Sequence, residues 1–233
     1  MTKRLRTLAV TAATLLLLTL GCSTETGGSD GQAPSTAAPG DAAAEKLLLA
    51  SADVTKNLTS AHIRVDLKGE FSRVGQASVI EGDAQVRPLV VNGQVTYRTG
   101  AVTPLIVAGD TVSVDIGGVW NEVGKTSVVI PPAVIDLSEG LPTIMGGIES
   151  PQSAGSEMID GTESTRITGT MPVNAAKDLL PEATGPADVS VWVRSAGDPL
   201  LVRMLVDFSP EQAITVTVSK WDVPVRVTTS PSP

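Results

Sequence analysis

Between Ala61 and Phe71 the chain alternates apolar with polar side chains: Ile63, Val65, Leu67 and Phe71 are interleaved with His62, Arg64, Asp66, Lys68 and Glu70. A period of two places successive side chains on opposite faces, so this segment is predicted to be a half-buried strand in an antiparallel sheet. Similar short strands are predicted at Val79–Val86, Gly93–Thr99, Leu105–Val107 and Thr111–Ile116, and a second series at Thr162–Thr170, Val189–Ser195, Leu200–Asp207 and Ile214–Trp221. Turn chemistry separates them, most clearly Ala196-Gly197-Asp198-Pro199. Ahead of the first strand, Leu47, Ala50, Val54 and Leu58 recur at helical spacing. This predicts a helix over Asp41–Leu58, capped by Asp41, with those four residues as its apolar face. Between the two series, Pro131–Ile148 reads as one or two short apolar helices interrupted by Gly140 and Pro142, and Pro172 opens another over Val173–Leu180. Strands arriving in runs with a few helices predict an α+β fold, one large antiparallel sheet with helices on one face.

The N-terminal pattern is of another kind. A basic stretch, Lys3, Arg4 and Arg6, precedes an apolar run from Leu8 to Leu20, which is too short for the about 20 residues that span a bilayer as a helix. It reads as a signal peptide over residues 1–21, with the small Gly21 at the cleaved bond and Cys22 as the acylated N-terminus. Thr19 and Leu20 depart from the usual lipobox order of an aliphatic and then a small residue. Residues 22–40 are rich in Ser, Thr, Gly, Ala and Pro and carry no large apolar side chain, which predicts a flexible tether, and residues 229–233 a similar tail. The domain is therefore expected over residues 41–228.

Charge narrows the partners. Removing residues 1–21 leaves 14 basic and 25 acidic residues, a net charge of −11. Such a surface disfavours nucleic acid and anionic headgroups, so membrane attachment is expected through acyl chains on Cys22, on the extracytoplasmic face of the cell membrane.

Catalytic candidates are few. His62 is the single histidine and Cys22 the single cysteine. A Cys/His pair, a zinc site of the usual spacing and a disulfide within the chain are thereby excluded, and no nucleophile elbow, Walker loop or dinucleotide fingerprint occurs. Glu81 and Asp83 share one face of a predicted strand and have the composition of an acid/base pair. Gln85 and Arg87 continue that face, which favours a solvated edge over a catalytic dyad. No catalytic residue, metal or cofactor is assigned. The apolar residues are mostly Val, Ile, Leu and Ala, with only Phe71, Phe208, Tyr97 and three tryptophans as aromatics. Small aliphatics on a sheet beneath broken helices either pack fully or leave a dry apolar space suited to acyl chains.

Several short motifs occur in order along the domain: Leu58-Thr59-Ser60-Ala61-His62, Glu81-Gly82-Asp83, Val119-Trp120-Asn121-Glu122-Val123-Gly124, Val191-Trp192-Val193 before Gly197-Asp198, and Val218-Ser219-Lys220-Trp221. In their order and spacing the chain resembles the mycobacterial LppX, LprA, LprF and LprG lipoproteins, most of all the LprG-like members. Pro104, Gly117-Gly118 and Ser138-Glu139-Gly140-Leu141-Pro142 depart from the pattern. The resemblance implies a strongly curved antiparallel half-barrel with helices on its concave face, enclosing a hydrophobic cavity. It implies as ligands multiply acylated lipids of the phosphatidylinositol mannoside, lipoarabinomannan or triacylglycerol type, carried from plasma membrane to outer mycomembrane, with a major-facilitator exporter as a further partner. The cavity residues expected on this basis are Val65, Leu67, Val95, Tyr97, Val107, Val112, Val114, Ile135, Leu141 and Ile144. Two other readings stay open: a scaffold subunit of an envelope exporter with a packed core, and a carboxylate-dependent hydrolase.

Overall fold

A computed structural model describes residues 41–126, 130 and 132–226; the predicted signal peptide, Cys22, the tether over 22–40 and the tail over 229–233 lie outside the described residues. In chain order the elements are α1 (Ala42–Lys56), β1 (Ser60–Lys68), β2 (Ala77–Gln85), β3 (Val90–Tyr97), β4 (Val102–Ala108), β5 (Thr111–Ile116), β6 (Val119–Lys125), α2 (Pro132–Ile135), α3 (Gly140–Gly146), β7 (Glu149–Ile159), β8 (Thr162–Met171), α4 (Val173–Leu179), β9 (Ala187–Arg194), β10 (Leu201–Ser209) and β11 (Gln212–Ser219).

The described strands form one antiparallel sheet of eleven in the order β6-β5-β4-β3-β2-β1-β11-β10-β9-β8-β7. The chain meanders outward from β1 to β6, crosses through α2 and α3 to the opposite edge at β7, and meanders back until β11 pairs with β1 from His62↔Ser219 to Lys68↔Ala213. The first and last strands therefore meet in the middle. The sheet is curved and open, with β6 and β7 as its edges. Both edges carry devices that discourage pairing with another chain: register shifts at Val112/Ser113 on the β5–β6 ladder and at two places on the β7–β8 ladder.

The alternation in β1 does what it predicts: Ile63, Val65 and Leu67 are buried, and His62, Arg64 and Asp66 half-buried. On the inner side, Gly82 of β2 faces Gly93 of β3. A Cβ on either would collide with the other's Cα at 2.7 Å, so the missing side chains let the two strands close up. Glu81 and Asp83 lie on the outer side of β2, which is an interior strand between β1 and β3 and not the edge expected.

Asp41 caps α1, its Oδ1 accepting from the Ala43 N–H at 2.9 Å. The buried face of α1 differs from the expected one. It consists of Ala44, Leu48, Ser51, Ala52 and Thr55, whereas Ala50 is exposed and Leu47 and Val54 only half-buried. The run Leu47-Leu48-Leu49 permits several rotational settings, and packing of α1 on α3, β7, β9 and β10 selects the one that buries Leu48. Gly140, expected to interrupt a helix, instead starts α3. A Cβ there would lie 2.6 Å from the Ala133 Cα, so glycine permits the close crossing of α2 and α3. Asp136 fixes the turn between them, its Oδ1 accepting from the Ser138 N–H and hydroxyl at 2.8 and 2.7 Å.

Two strands escaped the alternation rule. β6 has half-buried or exposed side chains throughout, and β7 is exposed along most of its length. Edge strands bury little on either face, so neither apolar periodicity nor an apolar run marks them.

Candidate functional site

Beneath the helices the two halves of the sheet are filled differently. Under α1 and α3, the side chains of Val191, Val193, Leu201, Met204 and Val206 are fully buried. Over β1–β5, the described part of the roof consists of the four-residue α2, the seven-residue α4 and Ile130, and apolar space remains. One narrow hollow, with a cavity volume of about 20 Å³, lies between Val65, Leu67 and Ile80 of the sheet, Ile214 of β11, Phe71 of the β1–β2 loop, and Val134, Leu179 and Leu180 above. A second, wider one of about 170 Å³ is walled by Val95, Tyr97, Leu105, Val112 and Val114. Arg73, Val74, Ile80 and Ile130 line both, so the two adjoin.

Of the residues expected at a cavity, Val65 and Leu67 line the first hollow, and Val95, Tyr97, Val112 and Val114 the second. Val107, Ile135 and Leu141 are buried in the surrounding core and border neither. Ile144 lies instead in a separate groove with Asp136, Thr143 and Asp178. Leucine and isoleucine on short helices can turn inward or sideways, and helix–helix packing decides which. Sequence reading missed Arg73, Val74, Ile130, Leu179 and Leu180. The pair Leu179-Leu180 at the end of a predicted helix was the available signal; the loop residues gave none.

The outer face carries a ladder of charges. Arg64 donates to Asp66 at 2.8 Å and to Glu81 at 2.7 Å, Gln94 donates to Glu81 at 2.8 Å, and His62 Nδ1 lies 2.7 Å from Asp83 with Lys220 at 3.9 Å. The Glu81 carboxyl is held below its ordinary pKa, first by the Gln94 hydrogen bond and then by Arg64, against partial burial. Arg64 is raised in turn, first by Asp66 and then by Glu81, against partial burial. A carboxylate so stabilised in its ionised form is a poor proton donor, which counts against Glu81 as the acid of an acid/base pair. Among the described residues no group of three or more His, Cys, Asp or Glu is placed to hold a metal ion.

The fold has counterparts among known proteins. The family model of the LppX_LprAFG lipoproteins matches residues 43–227. The chain belongs to that family. LppX of Mycobacterium tuberculosis, a proposed phthiocerol dimycocerosate transporter, is 33% identical over 221 residues, 94% of each chain. The lipoarabinomannan carrier protein LprG of Mycobacteroides abscessus is 28% identical over 230 residues, 97% of this chain and 98% of that one. Identity is thus higher to LppX than to this LprG, although the motifs pointed to the LprG-like members. The crystal structure of M. tuberculosis LppX superposes with a TM-score of 0.70 at 31% identity, covering 81% of this chain and all of that one. LprF of Mycobacterium bovis superposes at 0.69 with 22% identity over 82% of this chain and 98% of LprF, a likeness of fold. The half-barrel expected of the LppX_LprAFG family is the fold observed.

Proposed function

We propose that this chain is a cell-envelope lipoprotein, anchored through Cys22, that takes acyl chains into the hollow between β1–β5 and the α2–α4 roof and carries acylated lipid from the plasma membrane toward the outer mycomembrane. The observation that supports it is the pair of adjoining apolar hollows in a family whose named members include a lipid carrier and a proposed lipid transporter. The energetic need is large: a C16 chain has about fifteen methylenes, and exposing them to water costs about 12 kcal/mol at ~0.8 kcal/mol each. A shielded route removes most of that barrier. The sequence contains no nucleotide-binding motif, so direction comes from a partner or a concentration gradient.

The test is chemical. The full-length chain bearing Cys22→Ala is purified without added lipid and extracted with organic solvent, and the extract is analysed by mass spectrometry. An intact acylated lipid at a stoichiometry approaching one per chain is the expected result. A lipid-free protein that also takes up none from vesicles overturns the proposal in favour of the scaffold reading, and recovery of cleaved products in favour of the hydrolase.

A further inference from the structure

The sequence has ten arginines, eight of them among the described residues. Six of these have partners: Arg64 binds Asp66 and Glu81, Arg87 the Lys56 carbonyl, Arg98 the Gly69 carbonyl, Arg166 the Ser190 hydroxyl, Arg194 the Asp198 carbonyl and Arg203 Asp160. Arg226 is exposed and solvated. Arg73 differs from all of these. It is half-buried, lines both hollows, and has no hydrogen-bond or ion-pair partner among the described residues. Neither lining contains an acidic residue, although the chain as a whole has a net charge of −8.

The loop presenting Arg73 is fixed at several points. Phe71 is buried edge-on against Phe208 with ring centroids 6.4 Å apart, and Val74 N–H donates to the Phe71 carbonyl at 3.2 Å. Gln212 donates to the Glu70 carbonyl at 2.5 Å, Arg98 N–H to the Gln76 carbonyl at 2.9 Å, and the Arg98 side chain to the Gly69 carbonyl. A half-buried cation with no partner among the described residues gains nothing from the protein for the hydration it gives up, an arrangement that becomes favourable when an oxyanion arrives. Its flat fork of donors suits a phosphate, which it binds through two parallel hydrogen bonds. The hydroxyls of Ser72, in the first lining, and Tyr97, in the second, also lack partners among the described residues and can donate.

We infer that Arg73 receives the anionic phosphodiester headgroup of the lipid whose acyl chains fill the hollows, so that the ligand class is phosphate-bearing and not an uncharged ester lipid. This rests on the carrier reading above and narrows it. The uncharged triacylglycerol type offers no group that compensates the cation.

The full-length Cys22→Ala chain and its Arg73→Gln and Arg73→Lys variants are incubated with vesicles of uncharged digalactosyldiacylglycerol. The vesicles are doped with radiolabelled phosphatidylinositol or, at the same level, with diacylglycerol of the same acyl chains. The parent is expected to retain phosphatidylinositol preferentially. Arg73→Gln lowers that retention about tenfold or more and leaves diacylglycerol retention unchanged, while Arg73→Lys, which keeps the charge but not the fork, falls between. Equal loss of both lipids in Arg73→Gln assigns Arg73 to packing and overturns the inference, as does unchanged phosphatidylinositol retention. Inorganic phosphate that binds the parent in an Arg73-dependent way, with both lipids retained equally, assigns the site to free phosphate and overturns the lipid inference. A parent that takes up neither lipid overturns the carrier reading itself, and this inference with it.

Discussion

Val95, Val112 and Val114 carry short side chains on strands whose backbone positions are set by their neighbours in the sheet. The space in front of them therefore depends on side-chain size more than on backbone placement. Val95→Trp is expected to occupy part of the second hollow, lowering the lipid retained through purification several-fold while changing stability by less than about 1 kcal/mol. A close-packed site would instead lose typically 1–3 kcal/mol to strain, and thermal melting beside the lipid assay separates the two. Glu81 makes a prediction about pH. Its folded pKa lies below the ordinary value, so the unfolded chain takes up the proton first. The stabilisation is complete above the ordinary glutamate range and is lost as pH falls through the lower folded value. Arg64 keeps 42% of its side chain accessible to screening solvent, so the loss stays within about 1 kcal/mol. Glu81→Gln should flatten this part of the acid branch of a urea-denaturation profile; an unchanged branch would deny Glu81 the role.

Among the elements, the β2–β3 pair depends on two glycines. In Gly93→Ala the new methyl meets the Glu81 carbonyl and the Gly82 Cα, and the strands must separate or the sheet must flatten, at a cost of about 1–3 kcal/mol. The contrasting substitution is Gly146→Ala in α3, where nothing lies within 4 Å. It should stabilise the chain by up to about 1 kcal/mol through helix propensity. Urea midpoints for the two variants should move in opposite directions, and a Gly93→Ala midpoint equal to that of the parent would remove the tight strand contact as a requirement of the fold. The same reasoning covers what was legible in each element. β5 was read to the residue, Thr111–Ile116, because Val112 and Val114 alternate between turns. β7 was not read at all, because its sequence, Glu149 to Ile159, is polar on both faces and is paired on one side only, by β8.

The described residues fill the domain unevenly, closely packed on β9 and β10 and leaving apolar space over β1–β5. If lipid occupies the hollow, binding adds RT ln(1 + [L]/Kd) to stability, about 2.7 kcal/mol at a hundredfold excess over Kd. Delipidated protein should melt lower, and hydrogen exchange should locate the difference. Added lipid is expected to slow exchange in β1–β5 and the Phe71–Ala77 loop more than in β9 and β10. Uniform protection, or identical melting curves with and without lipid, would favour the fully packed scaffold.

Alternating side chains were enough to establish the class of fold, the direction of pairing and the faces of the inner strands. The resemblance put Val65, Leu67, Val95, Tyr97, Val112 and Val114 at a cavity, and the period of two placed the members of each strand on one face. A helix offers a continuous range of rotations, so the choice among Leu47, Leu48 and Leu49, and the placement of Ile135, Leu141 and Ile144, waited on which surfaces α1, α2 and α3 met. Arg73 lay furthest from reach. Nothing periodic marks a loop, and a cation's importance comes from the partners it lacks, a property of three-dimensional surroundings that only the closing of β1–β5 beneath Ile130, Val134 and Leu179 brought about.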